Sequence, residues 1–240
     1  MTAPVLTIES LNKEFLIHAQ GSQRIPVFEG LRLEAFEGEC VSLRSPSGTG
    51  KSSLLRCLYG SYRLGEGSRV LLRKLSGEVI DLAQLDASGW LRLRRSDIAM
   101  VSQFFRPVPR VSCLRLVTEP FLSEGLPKAL AEKQAQGLLT RLAIPVPLWQ
   151  VAPRTFSGGE QQRVNLAVAL ASSLVKPRRL LLLDEPTAAL DPDNTKRVLD
   201  LLNELKEQGC CLIGAFHSQA IEQSLQSRVV MLQSEKGELG

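Results

Sequence analysis

No run approaching about 18 apolar residues occurs in the 240-residue sequence, so nothing in it reads as a membrane-spanning helix. The opening Met1-Thr2-Ala3-Pro4 lacks a basic start and an apolar core, and no secretory leader is expected there. Charge of one sign is lacking too. Twenty-nine Lys and Arg face 25 Asp and Glu, a net +4 scattered along the chain, too little to argue for a nucleic-acid partner. Internal repeats, low-complexity segments and long linkers are absent. The five cysteines, Cys40, Cys57, Cys113, Cys210 and Cys211, are odd in number and show no metal-ligand spacing. Most lie in apolar runs and are expected to pack as small hydrophobes. The vicinal Cys210-Cys211 pair is the alternative, as a redox sensor. A reducing, cytoplasmic setting is expected. With 44% hydrophobic residues the chain can bury a substantial core without covalent staples.

What is present is organised around Ser45-Pro46-Ser47-Gly48-Thr49-Gly50-Lys51-Ser52-Ser53. The apolar run Cys40–Leu43 precedes it and the helical pattern Leu54–Leu58 follows. Strand, glycine-rich turn and helix is the setting of a phosphate-binding loop, where backbone N–H groups and the helix dipole converge on an anion. Lys51 supplies a point charge for β- and γ-phosphates, and Ser52 a hydroxyl for Mg²⁺. One position departs from the pattern: Ser45 stands where the motif has its first glycine. A serine fits there if the backbone avoids positive φ. A turn capped by serines is the simpler alternative.

Taken in order, the chain predicts strands at 4–11 and about 27–36, flanking a core sheet in antiparallel fashion. Short strands are expected within 69–82, a helical or irregular basic segment at 90–95, and a buried strand at 98–102. From Val111 to about Ile144 the period is helical, with Leu130, Leu138, Leu139 and Leu142 as its apolar positions. Pro145 and Pro147 end it. A further helix runs from Ser157 to about Leu174. Arg179–Asp184 is continuously apolar before its acid, as in a parallel sheet. A helix at 192–208, a buried strand at 210–216 and a last strand at 229–232 follow. The class is α/β: a parallel-sheet phosphate-loop core with an antiparallel flank and an inserted helical subdomain. One domain is expected over 1–240, with its core in 1–103 and 175–240 and the helical subdomain at about 104–174.

Asp184 closes its strand at the edge where α/β sheets bind ligands, and is a candidate Mg²⁺ ligand. Glu185, next in sequence, is a candidate to polarise an attacking water. Two acids capping a strand are the bland alternative. Phe156–Arg163 reads Phe-Ser-Gly-Gly-Glu-Gln-Gln-Arg. Ser157 and Glu160 have the spacing of a capping box. The two glycines cost about 1 kcal/mol each against alanine, which a cap alone does not require. They suit close approach of a second phosphate.

In this order the motifs resemble those of the ATP-binding cassette (ABC) ATPases over nearly the whole chain. Ser45–Ser52 resembles Walker A, Leu180–Asp184 Walker B, and Ser157–Gln161 the family signature. Gln103 is similar to the Q-loop glutamine, Ala188–Asp191 to the D-loop, and His217 to the switch histidine. Phe15 falls where the family places an adenine-stacking aromatic. The resemblance implies ATP and Mg²⁺ as ligands. Its nucleotide contacts would be Phe15, Ser45, Ser47, Gly48, Thr49, Gly50, Lys51, Ser52, Ser53, Gln103 and Asp184, with Ser157, Gly158, Gly159 and Glu160 serving across a pair. Ser52, Gln103 and Asp184 fall at the metal, and Glu185 and His217 are the catalytic groups. It also implies a second cassette, identical or related, packed head to tail.

Outside the shared motifs, Val101–Ser112, Leu139–Leu142 and Ala152–Ser157 resemble the L-subunit family of the bacterial phosphonate carbon–phosphorus lyase system. That resemblance implies a soluble lyase complex as partner, with the chain supporting formation of α-D-ribose 1-methylphosphonate 5-triphosphate. The competing reading is the ATPase subunit of a membrane transporter of the lipoprotein-release type. The stretch 103–112, with Phe104, Phe105, two prolines and two arginines, is a candidate docking loop for either partner.

Overall fold

The structure is a computed structural model that describes residues 3–17, 23–45, 50–103, 108–216 and 218–232. Nine strands fall in two sheets among these residues. Strands β1 (Leu6–Ile17), β2 (Gln23–Ala35), β4 (Arg69–Arg73) and β5 (Val79–Asp81) form an antiparallel sheet in the order β2-β1-β4-β5. Strands β3 (Cys40–Arg44), β6 (Ile98–Val101), β7 (Leu180–Asp184), β8 (Cys211–Ala215) and β9 (Arg228–Met231) form a parallel sheet in the order β6-β7-β8-β3-β9. The helices are α1 (Lys51–Leu58), α2 (Ala87–Ser96), α3 (Cys113–Ser123), α4 (Lys128–Arg141), α5 (Gly158–Ala171), α6 (Pro192–Glu207) and α7 (Gln219–Ser224). This is the expected α/β architecture, with α3, α4 and α5 as the inserted helical subdomain.

Strand β7 shows why the apolar run needed no alternation. Leu181 and Leu183 pack into a core shared with α5, α6 and the helical subdomain. Leu180 and Leu182 pack into a second core with α1, β1 and β4. Successive side chains point to opposite faces, and both faces are covered, so all four positions before Asp184 are apolar. The same holds for β8, all five residues of which are buried. All five cysteines are buried and unbridged. Burial pushes the Cys40 and Cys57 thiols up to about 11, and Cys113 and Cys210 up to about 12. Such thiols hold little of the reactive thiolate, which favours packing over redox sensing.

Three local expectations need correction. The helical period from Val111 to Ile144 is broken into α3 and α4. Gly125 takes φ 89° and Pro127 is the N-cap of α4, so the chain turns instead of continuing. Leu130 is 43% exposed, and the apolar stripe of α4 runs instead through Ala131, Ala135, Leu138 and Leu139. The opening strands are longer than their alternation suggests. β1 continues through bulges to Ile17, and β2 begins at Gln23, because each supplies the other's backbone partners.

Candidate functional site

β3, β6, β7 and β8 run parallel, so their C-terminal ends lie along one edge. The segments leaving that edge carry Ser45, Gln103 and Glu185, in the place where such sheets collect ligands. Gly50 is the N-cap of α1 at φ 96°. A Cβ there would lie 2.6 Å from Val27 Cγ1 and 2.7 Å from Phe28 Cζ, so both conformation and space demand glycine. No acidic residue occupies the first turn of α1, which leaves the positive end of its dipole free for an anion.

Lys51 Nζ lies 3.3 Å from both the carbonyl and the hydroxyl oxygen of Ser45 and donates to them. Positive φ outside glycine is confined, among the described residues, to Arg110, Ala143, Glu185 and Gln226. Ser45 therefore replaces the motif's glycine without left-handed strain, and its hydroxyl gives Lys51 an oxygen that glycine lacks. Behind the loop, Arg44 holds Glu222 of α7 with Nε 2.9 Å from Oε1 and Nη2 on Oε2, and Ser42 Oγ donates to Oε1 at 2.5 Å. The Arg44 hydrogen bond holds the Glu222 carboxyl below its usual range. Sequence reasoning did not find this cluster, whose members lie some 180 residues apart.

Ser52 Oγ donates to Asp184 Oδ1 at 2.8 Å. Asp184 is fully buried, and its Oδ2 has no hydrogen-bond partner among the described residues. Burial raises its pKa, against the lowering effect of the Ser52 bond. An orphaned carboxylate oxygen beside a hydroxyl is a hard oxygen donor set, and these residues fit Mg²⁺.

Gln103 Nε2 donates to Glu185 Oε2 at 2.8 Å. Glu185 sits at φ 53°, a left-handed conformation that costs a residue of this kind about 1–3 kcal/mol. Its N–H donates to the Ala215 carbonyl at 3.2 Å, which ties it to the end of β8. Phe15 belongs to a separate cluster. Its ring meets Tyr62 edge-on at 5.4 Å, and Lys13 Nζ lies 4.9 Å above its centroid. Ser53 lies in the first turn of α1. Ser47, Gly48, Thr49 and His217, together with Phe104–Pro107 of the expected docking loop, lie outside the described residues.

Ser157 is the N-cap of α5 and forms the capping box read from the sequence. Ser157 N and Oγ donate to Glu160 Oε2 at 2.9 and 2.7 Å, and Glu160 N donates to Ser157 Oγ at 3.4 Å. The Ser157 bonds hold the Glu160 carboxyl below its usual range. The two glycines differ. A Cβ on Gly158 would meet nothing within 4 Å, whereas one on Gly159 would lie 2.9 Å from the Ala189 carbonyl. Gly159 is thus required by packing inside the chain, a constraint additional to any ligand. Asp191, at the end of the D-loop stretch, caps α6 by accepting from Asn194 N at 2.8 Å.

The profile described as "ABC transporter" matches residues 28–188. The lipoprotein-releasing system ATP-binding protein LolD of Maricaulis maris is 35% identical over 90% of this chain and 89% of its own. The glutamate/glutamine/aspartate/asparagine transport ATP-binding protein BztD of Rhodobacter capsulatus is 34% identical over 86% of this chain and 74% of its own. Among solved structures, the ATP-binding cassette MJ0796, a dimer in a post-hydrolysis state bound to ADP and Pi, superposes with a TM-score of 0.81. It is 25% identical and covers 95% of this chain and 94% of its own. The matched profile spans the phosphate loop, the α5 cap and the β7 acids described above, and the chain belongs to the ABC transporter family of ATP-binding cassettes.

Proposed function

We propose that the chain is an ATP-hydrolysing cassette that works as one of a pair, with each nucleotide held between Lys51 and Ser52 of one cassette and Ser157–Gly159 of the other. The observation that carries this reading is the contrast between the two halves. Lys51, Ser52, Asp184, Gln103 and Glu185 converge within one chain, while Ser157 and Gly158 stand exposed at a helix N-terminus with open space before them. The dimeric state of MJ0796 is in keeping with it.

In this reading Lys51 leaves Ser45 for the phosphates, and the N-terminus of α1 faces them. Ser52, Asp184 and Gln103 would hold Mg²⁺, which supplies charge neutralisation on the phosphate oxygens when bound. Glu185 accepts the proton of the attacking water, and Gln103 orients that carboxylate. His217 is assigned to the γ-phosphate and Phe15 to the adenine by resemblance. Lys51→Ala should abolish ATP binding in calorimetry, and unchanged affinity would reject the site.

Of two readings of what the ATPase drives, the curated relatives favour the transporter one, and the lyase one rests on the resemblance of short segments alone. Relatives such as LolD, at 35% identity over 90% of the chain, support the energy subunit of a membrane transporter. BztD serves a different cargo at nearly equal identity, so identity at this level reports the cassette more than its client. The resemblance of Val101–Ser112 and Ala152–Ser157 to the phosphonate lyase L-subunit family supports a soluble cytoplasmic assembly that consumes ATP in phosphonate catabolism. Affinity purification of the tagged chain from its native host separates them. A copurifying integral-membrane permease establishes the transporter reading; soluble lyase subunits without a permease establish the other.

A further inference from the structure

Helix α5 carries Gly159, Gln162 and Asn165 at three-residue spacing, which places them on one face. Gly159 and Gln162 meet the loop that follows β7, and Asn165 meets the segment that follows β6, both at the C-terminal edge of the parallel sheet. Gly159 lies against the Ala189 carbonyl. Gln162 Nε2 donates to the Pro186 carbonyl at 3.1 Å, and Asn165 Nδ2 donates to the Ser102 carbonyl at 2.7 Å. Both amide side chains belong to residues only 7% exposed. Ser102 directly precedes Gln103, and Pro186 directly follows Glu185. The Gln103–Glu185 hydrogen bond is therefore bracketed by two bonds from one rigid helix.

We propose that Asn165 is a positioning residue which, with Gln162, fixes Gln103 against Glu185 and couples that pair to whatever touches the Ser157 cap of the same helix. The inference rests on the reading of Gln103 and Glu185 as groups of the hydrolytic site. The physical argument is one of constraint. Glu185 occupies a left-handed conformation that persists only when its surroundings over-determine it. Bonds to the carbonyls on either side of the pair provide such surroundings. The cap and Asn165 are eight residues apart, about 12 Å along one helix. A displacement of the cap by the second cassette's nucleotide therefore reaches Ser102 and Pro186 through a single rigid element, and the two nucleotide sites of a pair communicate through it.

The test uses the full chain with ATP and Mg²⁺. Asn165→Asp keeps the volume and removes the donor. Turnover in Asn165→Asp should fall about tenfold, with KM for ATP and the melting temperature near wild type, and Gln162→Glu should reproduce the effect from the Glu185 side. Hydrogen exchange of the peptides spanning 100–103 and 184–187 should rise in both variants. Turnover within twofold of wild type in a folded Asn165→Asp protein overturns the proposal. So does a parallel loss of ATP affinity, which would mark a merely structural role. If Asn165→Asp fails to fold, Asn165→Ala, which also removes the donor, decides by the same criteria. A wild-type protein that hydrolyses no ATP would defeat the functional reading instead, and the exchange measurement would still report on the bracket.

Discussion

The two halves of the candidate site are built in opposite ways. At the sheet edge, polar groups are spent on one another: Ser52 on Asp184, Gln103 on Glu185, Lys51 on Ser45. Each is anchored by a buried strand or a helix that packs on it. At the N-terminus of α5 the polar groups are satisfied locally by a capping box, and Gly158 faces open space. The first half is organised by long-range contacts within the chain. The second is a locally satisfied cap whose Ser157 and Gly158 are exposed. The pairing proposed above gives a reason for the division, since in that reading one cassette completes its own hydrolytic groups but not its own nucleotide sandwich.

That contrast can be broken or sharpened by substitution. The largest effect is expected from Glu185→Gln, which removes the proposed general base while keeping the Gln103 neighbour. Turnover should drop about 100-fold or more with ATP still bound, and the paired state should accumulate in size-exclusion chromatography. A wild-type rate would remove Glu185 from the chemistry. Gly50→Ala comes next. Its positive φ and the 2.6 Å approach to Val27 predict a loss of about 1–3 kcal/mol in urea melts and defective ATP binding. Unaltered stability would show that the Gly50 turn is softer than described.

Gly158→Ala probes the other half. Nothing lies within 4 Å of the added methyl, so the fold should be unharmed or gain up to about 1 kcal/mol from helix propensity. On the proposed pairing, turnover and pairing should nevertheless fall, because the methyl would occupy the space which that reading gives to the second cassette's nucleotide. Stability and turnover that move together would erase the distinction between the halves. The smallest effect concerns the Arg44–Glu222 tie behind the phosphate loop. Arg44 depresses the Glu222 pKa in the folded state. Its stabilising contribution is present above the unfolded value of about 4.3 and is lost as pH falls through the lower folded value. Glu222→Gln should therefore flatten the acid limb of the stability profile below about pH 4.3, measured by thermal melts. An unchanged acid limb would show that the pair adds nothing.

Much of this was legible in the residues. Lys51, Ser52, Asp184 and Glu185 stand in local settings, strand end or helix start, that marked them as candidates. The capping box of Ser157 and Glu160 is local and was readable as such. The unreadable parts depend on what packs against what. The amphipathic period alone did not divide the helix at Gly125 and Pro127, because a period reads side-chain faces and not the positive φ at Gly125 where the chain turns. Nor could it show that Leu130 is exposed while Ala131 and Ala135 carry the stripe, since alanine is a weak hydrophobic signal. Gly159 looked equivalent to Gly158 until the Ala189 carbonyl was seen against it.

By itself the sequence determined the class of fold, the phosphate loop with its serine substitution, and the order of motifs that marks an ATP-binding cassette. All of these are set by local chemistry: periodicity, turn residues, and charges at strand and helix ends. Tertiary structure alone decided that Ser52 meets Asp184 across 132 positions, that Gln103 meets Glu185 across 82, and that Asn165 and Gln162 bracket that pair. Those contacts arise because parallel strands distant in sequence end at one edge and a helix from the inserted subdomain lies along it, and short-range pattern carries no record of which ends become neighbours.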